Sequence, residues 1–580
     1  MSRQFQFKGA SEMPIIAVSA GDMAWNKTGA WRTQRPVYED KTPPCSAACP
    51  AGNDIVRFIQ KIAKEDFEGA WNIIKEESPF PGVCGRVCFH PCESKCNRGS
   101  FDEPLAIHAL ERFVADFGYG LNKKTAKLGE KNKEKVAIIG SGPAGMSCAY
   151  HLARLDYDVT VFESLPFAGG MLRLGIPSYR LPRDILDREL SDIEAFGVKI
   201  RTGVTLGEDI RLEDLKDHQA VFISTGAHKS RGLQIPGGRE KGVLSGLDLL
   251  KRINLRKRIQ LGDKIAVIGG GNTAIDVARS VIRMGKKATI LYRRSREEMP
   301  AFDEEILEAL EEGVKIRYLV NPLRIGQKDG LKRIECLRME LGEKDESGRR
   351  RPIPIPNSNF RIDVDHVIVA TGEEIEVSFL PEGLEKREGI LLTRRDGSTG
   401  IKGIFAGGDL TSNQRTVAHA IGSGKKAAMA IDAFFKGKDP DVIFQNLIGE
   451  GPSLSIFNYL HPAERVRNPH VVAFEELNMD YFEPAKRQEE SRRPVKERIK
   501  GFKEVSTTFS ESLALEEAGR CFNCGTCNEC EVCYVFCPDA SILKREGLFS
   551  HQVDYDYCKG CGICFTECPR GAISLKEEEK

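Results

Sequence analysis

Cysteines are the residues best placed to do chemistry here, because 16 of the 18 thiols fall in two segments, residues 45–96 and 521–568. The second segment contains the pattern C-x2-C-x2-C-x3-C-P twice. Thiolates at these spacings bind two [4Fe–4S] clusters, and the fourth cysteine of each run binds the cluster of the other run. We therefore expect one cluster on Cys527, Cys530, Cys533 and Cys568, and another on Cys558, Cys561, Cys564 and Cys537.

Two other uses of these thiols fit the pattern less well. A disulfide scaffold is typical of small secreted proteins, whereas these cysteines flank a long stretch that contains only Cys148 and Cys336. We interpret those two as packed core residues. A zinc module rarely uses eight cysteines at such spacings.

A glycine-rich turn follows the strand that we predict at 136–139. Its pattern is Gly140-x-Gly142-x-x-Gly145, a helix is predicted next, and Glu163 lies 23 residues after Gly140. The glycines permit a tight turn, backbone approach to a pyrophosphate and close helix packing, and the acid binds ribose hydroxyls. An ordinary glycine-rich turn would not need the strand, the helix and the acid together, so we predict a dinucleotide site.

A second turn repeats this arrangement as Gly269-x-Gly271-x-x-Ala274. The position 23 residues after Gly269 holds Tyr292, and Arg293 and Arg294 follow. An acid would repel a 2′-phosphate, whereas arginines pair with it. We therefore predict NADPH rather than NADH at this turn; the alternative is that the arginines belong to a surface loop.

Two dinucleotide sites in one chain indicate FAD at one and a nicotinamide nucleotide at the other. The segment 403–410 (GIFAGGDL) resembles the flavoprotein segment whose Asp contacts the ribityl–phosphate region of FAD, and 416–428 resembles the helix that faces the flavin. The expected FAD contacts are Gly140, Gly142, Pro143, Ala144, Gly145, Glu163, Gly170, Met171, Gly226, Gly408, Asp409 and Val417. The expected NADPH contacts are Gly269, Gly271, Asn272, Thr273, Ala274, Arg293, Arg294 and Gly372.

The nucleotide-binding blocks contain no redox CxxC or CxxxxC beside the flavin segments, so electrons must leave the flavin by another route. We expect no general acid or base, because the flavin itself performs hydride chemistry.

Composition excludes several classes of function. The 580 residues include 85 basic and 84 acidic side chains, which gives a net charge of +1 and argues against a dedicated nucleic-acid binder. No apolar run approaches the ~18 residues of a membrane span, and no secretory signal is recognisable, so we expect a cytoplasmic protein without a transmembrane segment.

These features predict a multidomain α/β protein. It should have two Rossmann-like dinucleotide-binding domains (FAD and NADPH), an N-terminal α-helical Fe–S domain and a C-terminal ferredoxin-like 2[4Fe–4S] domain. We expect 484–504, which is rich in charge, to be a solvated helix or linker. The predicted divisions are an arm at 1–40, the helical Fe–S domain at 41–125, a first FAD-binding segment at 131–240, the NADPH-binding domain at 241–375, a second FAD-binding segment at 376–440, a connector at 441–519 and the ferredoxin domain at 520–580.

From about residue 40 to 440 the chain resembles the small subunit of bacterial glutamate synthase and the large subunit of ferredoxin:NADP oxidoreductase. Soluble NADPH-dependent iron(III) reductase β subunits are similar in layout. The resemblance rests on CxxxCPAGNDI (45–55), GRVCxxPCExxC (85–96), LERFVAD (110–116), GGMLRLGIPSYRLP (169–182) and YRRSREEMPA (292–301).

The resemblance implies two further clusters in the helical domain. The family motif C-x2-C-x4-C-x3-C-P is represented only by Cys45 and Cys49, but residues 502–524 resemble the segment that contains the missing half. We hypothesise one cluster on Cys45, Cys96, Cys521 and Cys524. The other would use Cys49, Cys88, Cys92 and, as in the ferredoxin:NADP relative, Glu111; the alternative for Glu111 is a carboxylate on a helix face. Cys84 is either a core thiol, which we favour, or a replacement for Glu111.

We therefore expect an oxidoreductase that moves electrons from NADPH through FAD and four [4Fe–4S] clusters to a ferredoxin or a partner subunit, or in reverse. The chain would belong to a hetero-oligomer or a homodimer. A glutamate synthase small subunit and a flavin-bifurcating subunit are the alternatives within this class, and a non-catalytic Fe–S redox sensor is the alternative outside it.

Overall fold

A computed structural model describes residues 27–121, 134–380, 383–387, 389–449, 451, 453–462, 468–544 and 551–578. Most of the predicted arm and most of the charged stretch at 125–134 therefore lie outside the described residues.

Strands and helices are labelled in chain order. The strands are β1 Gln34–Tyr38, β2 Lys41–Thr42, β3 Lys135–Ile139, β4 Asp158–Glu163, β5 Lys199–Thr202, β6 Ala220–Ile223, β7 Lys229–Ser230, β8 Val243–Ser245, β9 Lys264–Ile268, β10 Lys287–Leu291, β11 Lys315–Arg317, β12 Val320–Lys328, β13 Leu331–Lys344, β14 Arg350–Pro354, β15 Phe360–Val364, β16 His366–Val369, β17 Glu373–Glu374, β18 Lys386–Arg387, β19 Ile390–Leu391, β20 Ile404–Ala406, β21 Asn468–Val471, β22 Ile542–Lys544, β23 His551–Val553 and β24 Ile573–Glu577. The helices are α1 Pro44–Ala48, α2 Ile55–Ala63, α3 Phe67–Glu77, α4 Pro81–Val87, α5 Pro91–Ser94, α6 Ile107–Gly120, α7 Pro143–Arg154, α8 Gly170–Leu174, α9 Arg183–Glu194, α10 Gly246–Asn254, α11 Asn272–Arg283, α12 Asp303–Glu311, α13 Val417–Phe435, α14 Ile456–Leu460, α15 Val495–Arg498, α16 Glu511–Gly519, α17 Val532–Val535 and α18 Ile563–Thr566.

Two parallel sheets carry the two glycine-rich turns. The first has the strand order β5-β4-β3-β6-β20, and the second has β11-β10-β9-β16-β8. In both, the strand before the glycine turn is central and its neighbours run parallel to it. The strand order reverses beside β3 and beside β9, and ligands of such sheets bind at this switch point.

The second sheet is joined to the first by the short antiparallel pair β7 and β17. An antiparallel sheet of β12, β13, β14 and β15 lies beside it. The chain therefore leaves the first sheet, completes the second and returns to the first as β20, which α13 follows.

Helices α1 to α6 form the N-terminal domain. Their burial follows the apolar periodicity, since Ile55, Ile59 and Ile62 on α2 are all buried. A continuous hydrophobic core joins this domain to the first parallel sheet and to α13. The two units are thus packed as one body around a shared core.

The C-terminal unit is small and contains β22 to β24, α17 and α18. Strand β24 pairs antiparallel with β1, so residues 34–38 complete its edge. The described residues of the arm are therefore docked on this unit. Among the described residues, no helix is both long enough and apolar enough to cross a bilayer.

Parts of the charged stretch 484–504 are docked on other domains, although most of its residues are exposed. Only 495–498 is helical, and Arg498 is buried and lies 2.7 Å from Glu311. Arg487 contacts Glu93 of the helical domain at 2.6 Å. The expectation of a solvated segment was wrong for these residues, because their charges find partners on other domains.

Candidate flavin cavity and iron–sulfur ligand groups

The first glycine turn has the geometry that a pyrophosphate requires. Gly140 has a φ of +100°, which favours glycine, and a Cβ on Gly142 would meet nothing within 4 Å. A Cβ on Gly145 would lie only 1.9 Å from the carbonyl oxygen of Gly140. The turn therefore leaves open space where a phosphate must approach, and close packing where the helix meets the strand.

The second turn is built in the same way. Gly269 has a φ of +147°, and a Cβ there would lie 2.1 Å from the carbonyl oxygen of Ala370, whereas Gly271 faces open space. Tyr292, at the acid position, is buried; its ring lies where a Cβ on Gly270 would be, and its hydroxyl donates to the carbonyl of Glu298 at 2.6 Å. The tyrosine thus serves packing.

One cavity of about 600 Å³ runs from the first turn to the second. Of the predicted FAD contacts, all except Gly145 line it: Gly140, Gly142, Pro143, Ala144, Glu163, Gly170, Met171, Gly226, Gly408, Asp409 and Val417. Asn272 and Thr273 line its far end. The other predicted NADPH contacts, Gly269, Gly271, Ala274, Arg293, Arg294 and Gly372, do not line this cavity.

Glu163 and Asp409, two of the five described acidic residues that line the cavity, have different surroundings. Glu163 accepts hydrogen bonds from the backbone N–H groups of Ser141 and Leu165, both at 2.9 Å, so it also fixes the turn. Burial raises the pKa of Asp409 to about 6, although nearby Arg415 lowers it. Glu163 is thus held by the turn itself, while Asp409 lies desolvated at the opposite wall.

The two arginines after β10 are not equivalent. Arg294 is buried, lies 2.6 Å from Asp345 and donates to the carbonyl of Arg350 at 2.8 Å. Arg293 is exposed, and burial, Arg294 and Arg349 together lower its pKa. The expected pair is therefore split into one structural arginine and one that is accessible beside Arg349, a neighbour that the sequence did not suggest.

The helical domain reaches the cavity at one place. Within residues 27–121, only Val87 and Phe89 line it, and they flank the predicted ligand Cys88. The Phe89 ring is nearly parallel to Phe302, at 6.3 Å, and to His419, at 5.9 Å. Sequence reasoning missed this wall, although the adjacency of Phe89 to Cys88 was visible.

The thiols nearest the cavity form one group. Burial raises the pKa of Cys92, and Cys49 and Cys88 raise it further. Burial also raises the pKa of Glu111 to about 8, and Asn53 donates to this carboxylate at 3.0 Å. Glu111 in turn raises the pKa of Cys49 and of Cys88. These four side chains are therefore neighbours.

Cys84 lies beside the same group. It is 3% exposed, and burial, Glu111 and Cys88 all raise its pKa. Its position fits both interpretations, a core thiol and a ligand that replaces Glu111. Cys148 and Cys336 are fully buried in hydrophobic cores.

A second thiol group joins distant segments of the chain. Burial raises the pKa of Cys45, and the next contributions come from Cys96, Cys521 and Cys524. The junction beside it is held by Arg98, which donates to the carbonyl of Arg520, and by Arg520, which lies 3.2 Å from Asp102. The structure thus brings together the four residues of the hypothesised relocated motif.

The thiols of the two ferredoxin runs lie close to one another. Beyond burial, Cys533, Cys568 and Cys530 raise the pKa of Cys527. Cys558, Cys533, Cys537 and Cys561 likewise raise the pKa of Cys564. The fourth cysteine of each run is therefore near the other run, and the division of the eight thiols between two clusters stays a prediction.

The donor chemistry suits the groups that the sequence implies. Each thiol group supplies three or four soft sulfur donors in one place, which is the preference of iron–sulfur clusters. The open face of Gly142 and the cavity beyond it suit a dinucleotide that continues into a flat ring system.

Residues 134–424, half of the chain, match the profile of pyridine nucleotide-disulphide oxidoreductases. The chain belongs to this family. This oxidoreductase also matches dihydropyrimidine dehydrogenase domain II, 4Fe-4S cluster, over residues 27–122, and the 4Fe-4S binding domain over residues 551–574. The predicted fold class is confirmed, and flavin and [4Fe–4S] clusters are supported as cofactors.

Relatives of this oxidoreductase are subunits of larger enzymes. It is 40% identical over 514 residues to the NADP(+)-dependent formate dehydrogenase subunit beta of Moorella thermoacetica, covering 83% of this chain and 70% of that protein. It is 36% identical over 528 residues to the NADPH-Fe(3+) oxidoreductase subunit beta of Geobacter sulfurreducens, covering 83% and 75%. It is 32% identical over 412 residues to the glutamate synthase [NADPH] small chain of Halomonas elongata, covering 67% and 87%. The predicted resemblance is confirmed.

Proposed function

We propose that this chain is an electron-transfer subunit that oxidises NADPH and passes the electrons to a partner subunit or a ferredoxin, or works in reverse. The names of its relatives support an NADPH-linked role within a multi-subunit enzyme. When bound, FAD would take a hydride from NADPH and the clusters would carry single electrons.

One observation carries this proposal. The cavity that is lined by the first glycine turn is closed on one side by Val87 and Phe89, which flank Cys88. A flavin held there would be separated from the nearest thiol group by these side chains. The cavity therefore has an exit for electrons toward the helical domain, in place of the absent CxxC.

Within the described part of the chain, none of the remaining thiol groups lines the cavity. Gln60 on α2 donates to the carbonyl of Cys527 at 3.5 Å, so the helical domain contacts the ferredoxin unit beside its first run of cysteines. Cys561, in the group that contains Cys558, is exposed. We assign four clusters in the order that begins at Cys49, continues through Cys45 and then Cys527, and ends at Cys561.

The nucleotide preference depends on Arg293. It is exposed beside Arg349, where it could pair with a 2′-phosphate, while Arg294 is already engaged with Asp345. We propose Arg293 as the phosphate contact and Arg294 as a support for the local structure.

The test is an anaerobic titration of the purified protein with NADPH and, separately, with NADH. We expect NADPH to bleach the flavin absorbance and then the broad cluster absorbance. Bleaching of the flavin with silent clusters would instead favour flow toward NADP, and preference for NADH would contradict the 2′-phosphate contact. Arg293→Ala should weaken the binding of NADPH more than the binding of NADH. Arg361 is an exposed arginine on β15, and Arg361→Ala should change neither affinity.

A further inference from the structure

A lysine is fully buried between the flavin helix and the helical Fe–S domain. Lys425 lies on α13, two turns after Val417 at the cavity, and its side chain is 0% exposed. Its ammonium group lies 2.7 Å from a carboxylate oxygen of Glu77 and also donates to the carbonyl of Ala51. Lysine is rarely buried to this extent, so its presence needs a reason.

The ammonium group is held against the loop that follows Cys49. A Cβ on Gly52 would lie 2.4 Å from the Lys425 nitrogen, and a Cβ on Gly422 of α13 would lie 2.0 Å from the carbonyl oxygen of Pro50. The two glycines thus allow helix and loop to touch. The ammonium group of Lys425 is therefore fixed against this loop, close to the predicted ligand Cys49.

The charge of Lys425 lies beside the segment that carries the predicted ligand. Its ammonium group donates to the carbonyl of Ala51, which is only two residues after Cys49. Glu77, the partner of the lysine, is itself held by other donors: the hydroxyl of Ser455 and two backbone N–H groups at the start of α14. These donors are neutral, so they stabilise the carboxylate without removing its charge, and Lys425 supplies the positive member of the pair.

Stability alone does not account for this arrangement. A buried ion pair costs desolvation on both sides, and apolar residues of similar volume often replace such pairs without loss. Glu77 keeps three other donors when the lysine is removed, but its buried negative charge is then unbalanced, so the fold needs either the whole pair or two apolar residues. Packing alone would be served by the apolar pair, and the retained positive charge therefore indicates a further role.

We propose that Lys425 is a positioning residue that raises the reduction potential of the cluster held by Cys49, Cys88 and Cys92. The inference rests on the proposed function, since it needs a cluster at that group. Reduction adds a negative charge to a cluster, and a fixed positive charge nearby stabilises the reduced state. The cluster nearest the flavin would therefore accept electrons more readily than it would in an uncharged setting.

The test compares cluster potentials in anaerobic redox titrations of the full holoprotein followed by electron paramagnetic resonance. In Lys425→Met we expect the ratio of reduced to oxidised cluster at a fixed potential to fall about tenfold, which is a lowering of about 59 mV for one electron. Lys425→Arg should retain the wild-type potential. Lys436→Met, at the residue that directly follows the same helix and with a side chain that is 48% exposed, is the matched control and should not shift it.

A second variant covers the case in which Lys425→Met does not fold. Glu77→Gln keeps the packing and removes the opposing negative charge, so the potential should rise. An unchanged potential in both variants, or an equal drop in Lys425→Arg, would overturn the inference. If iron content and the spectrum of the wild-type protein lack this cluster altogether, the proposed function itself fails, which is a separate and distinguishable result.

Discussion

The helical Fe–S domain and the ferredoxin unit place their thiols at different depths. Cys45, Cys49 and Cys92 are buried in the first region, whereas Cys530 and Cys561 are exposed in the second. The helical domain shares a large hydrophobic core with the FAD domain. The ferredoxin unit has a small core of its own, made mainly of thiols and the two isoleucines of β22 and β24.

The origin of the thiols differs as well. Each predicted ligand set in the ferredoxin unit takes three cysteines from one run and the fourth from the other, so all of its ligands lie within the single small unit at 527–568. The group that contains Cys45 and Cys521 is assembled by tertiary structure. A site whose ligands lie in one short motif can thus be recognised from sequence alone. A site whose ligands come from two distant segments forms only if the tertiary contacts hold those segments together.

The largest expected effect comes from the divided group. Cys521→Ser should lose one cluster and also loosen the junction between the helical domain and the ferredoxin unit. Cys561→Ser should lose one cluster without loosening that junction, because its group is local. Iron content and limited proteolysis measure the two effects, and equal protease sensitivity of the two variants would contradict the comparison.

The next effect concerns the ion pairs beside the divided group. Arg520→Met removes a buried guanidinium that lies 3.2 Å from Asp102 and 2.8 Å from Glu517. Breaking a buried pair of this kind costs about 3–5 kcal/mol. We expect the free energy of unfolding to fall by this amount in denaturant titrations, with loss of the Cys521 cluster before the others. An unchanged midpoint would show that the junction does not depend on this arginine.

A third effect is a pH dependence at the contact between α9 of the FAD-binding part and α4 of the helical domain. Burial raises the pKa of Glu189 to about 7, and its carboxylate accepts from the backbone N–H groups of Gly82, at 2.6 Å, and Val83. The folded protein thus keeps a proton that the unfolded chain releases, so stability falls as pH rises from about 4.5 to 7, by at most about 1.4 kcal/mol per pH unit.

Glu189→Gln should flatten this range of the stability profile, as measured by thermal unfolding between pH 4.5 and 7.5. Glu194→Gln, an exposed position on the same helix, is the control and should keep the slope. If the slope of stability against pH is unchanged in Glu189→Gln, the pH dependence comes from other groups.

The smallest effect is expected at the surface of the ferredoxin unit. Lys544 and Glu531 form a pair at 2.6 Å, but both side chains are about half exposed. Exposed pairs contribute little to stability. Lys544→Ala should therefore leave the melting temperature and the cluster spectrum unchanged, and a clear loss of stability would show that this unit depends on its surface charges.

Much of the fold follows from local sequence. The glycine turns, the predicted strands before them and the ferredoxin runs each need only neighbouring residues, and the structure arranges them as expected. The relocated half-motif could be hypothesised because two surplus cysteines remained in a recognisable segment. The different roles of Arg293 and Arg294 could not be predicted, because Asp345, the partner of Arg294, comes from a distant hairpin.

The same reason explains what was missed at the site. Lys425 looks like an ordinary helix residue in sequence, and its burial depends on Ala51 and Glu77 from another domain. The docking of Arg498 depends on Glu311 in the same way. The burial and pairing of such charged residues depend on tertiary contacts, which cannot be predicted from periodicity or motif spacing.

The divided thiol group also constrains biosynthesis. Cys45 and Cys96 leave the ribosome long before Cys521 and Cys524, and at ~5–20 residues per second the interval is roughly 20–95 s. During that time the early thiols have no complete group and are open to oxidation or to the wrong metal. A cluster held by this group would therefore be inserted only after translation of nearly the whole chain, and iron and sulfide would have to be delivered at the end of synthesis.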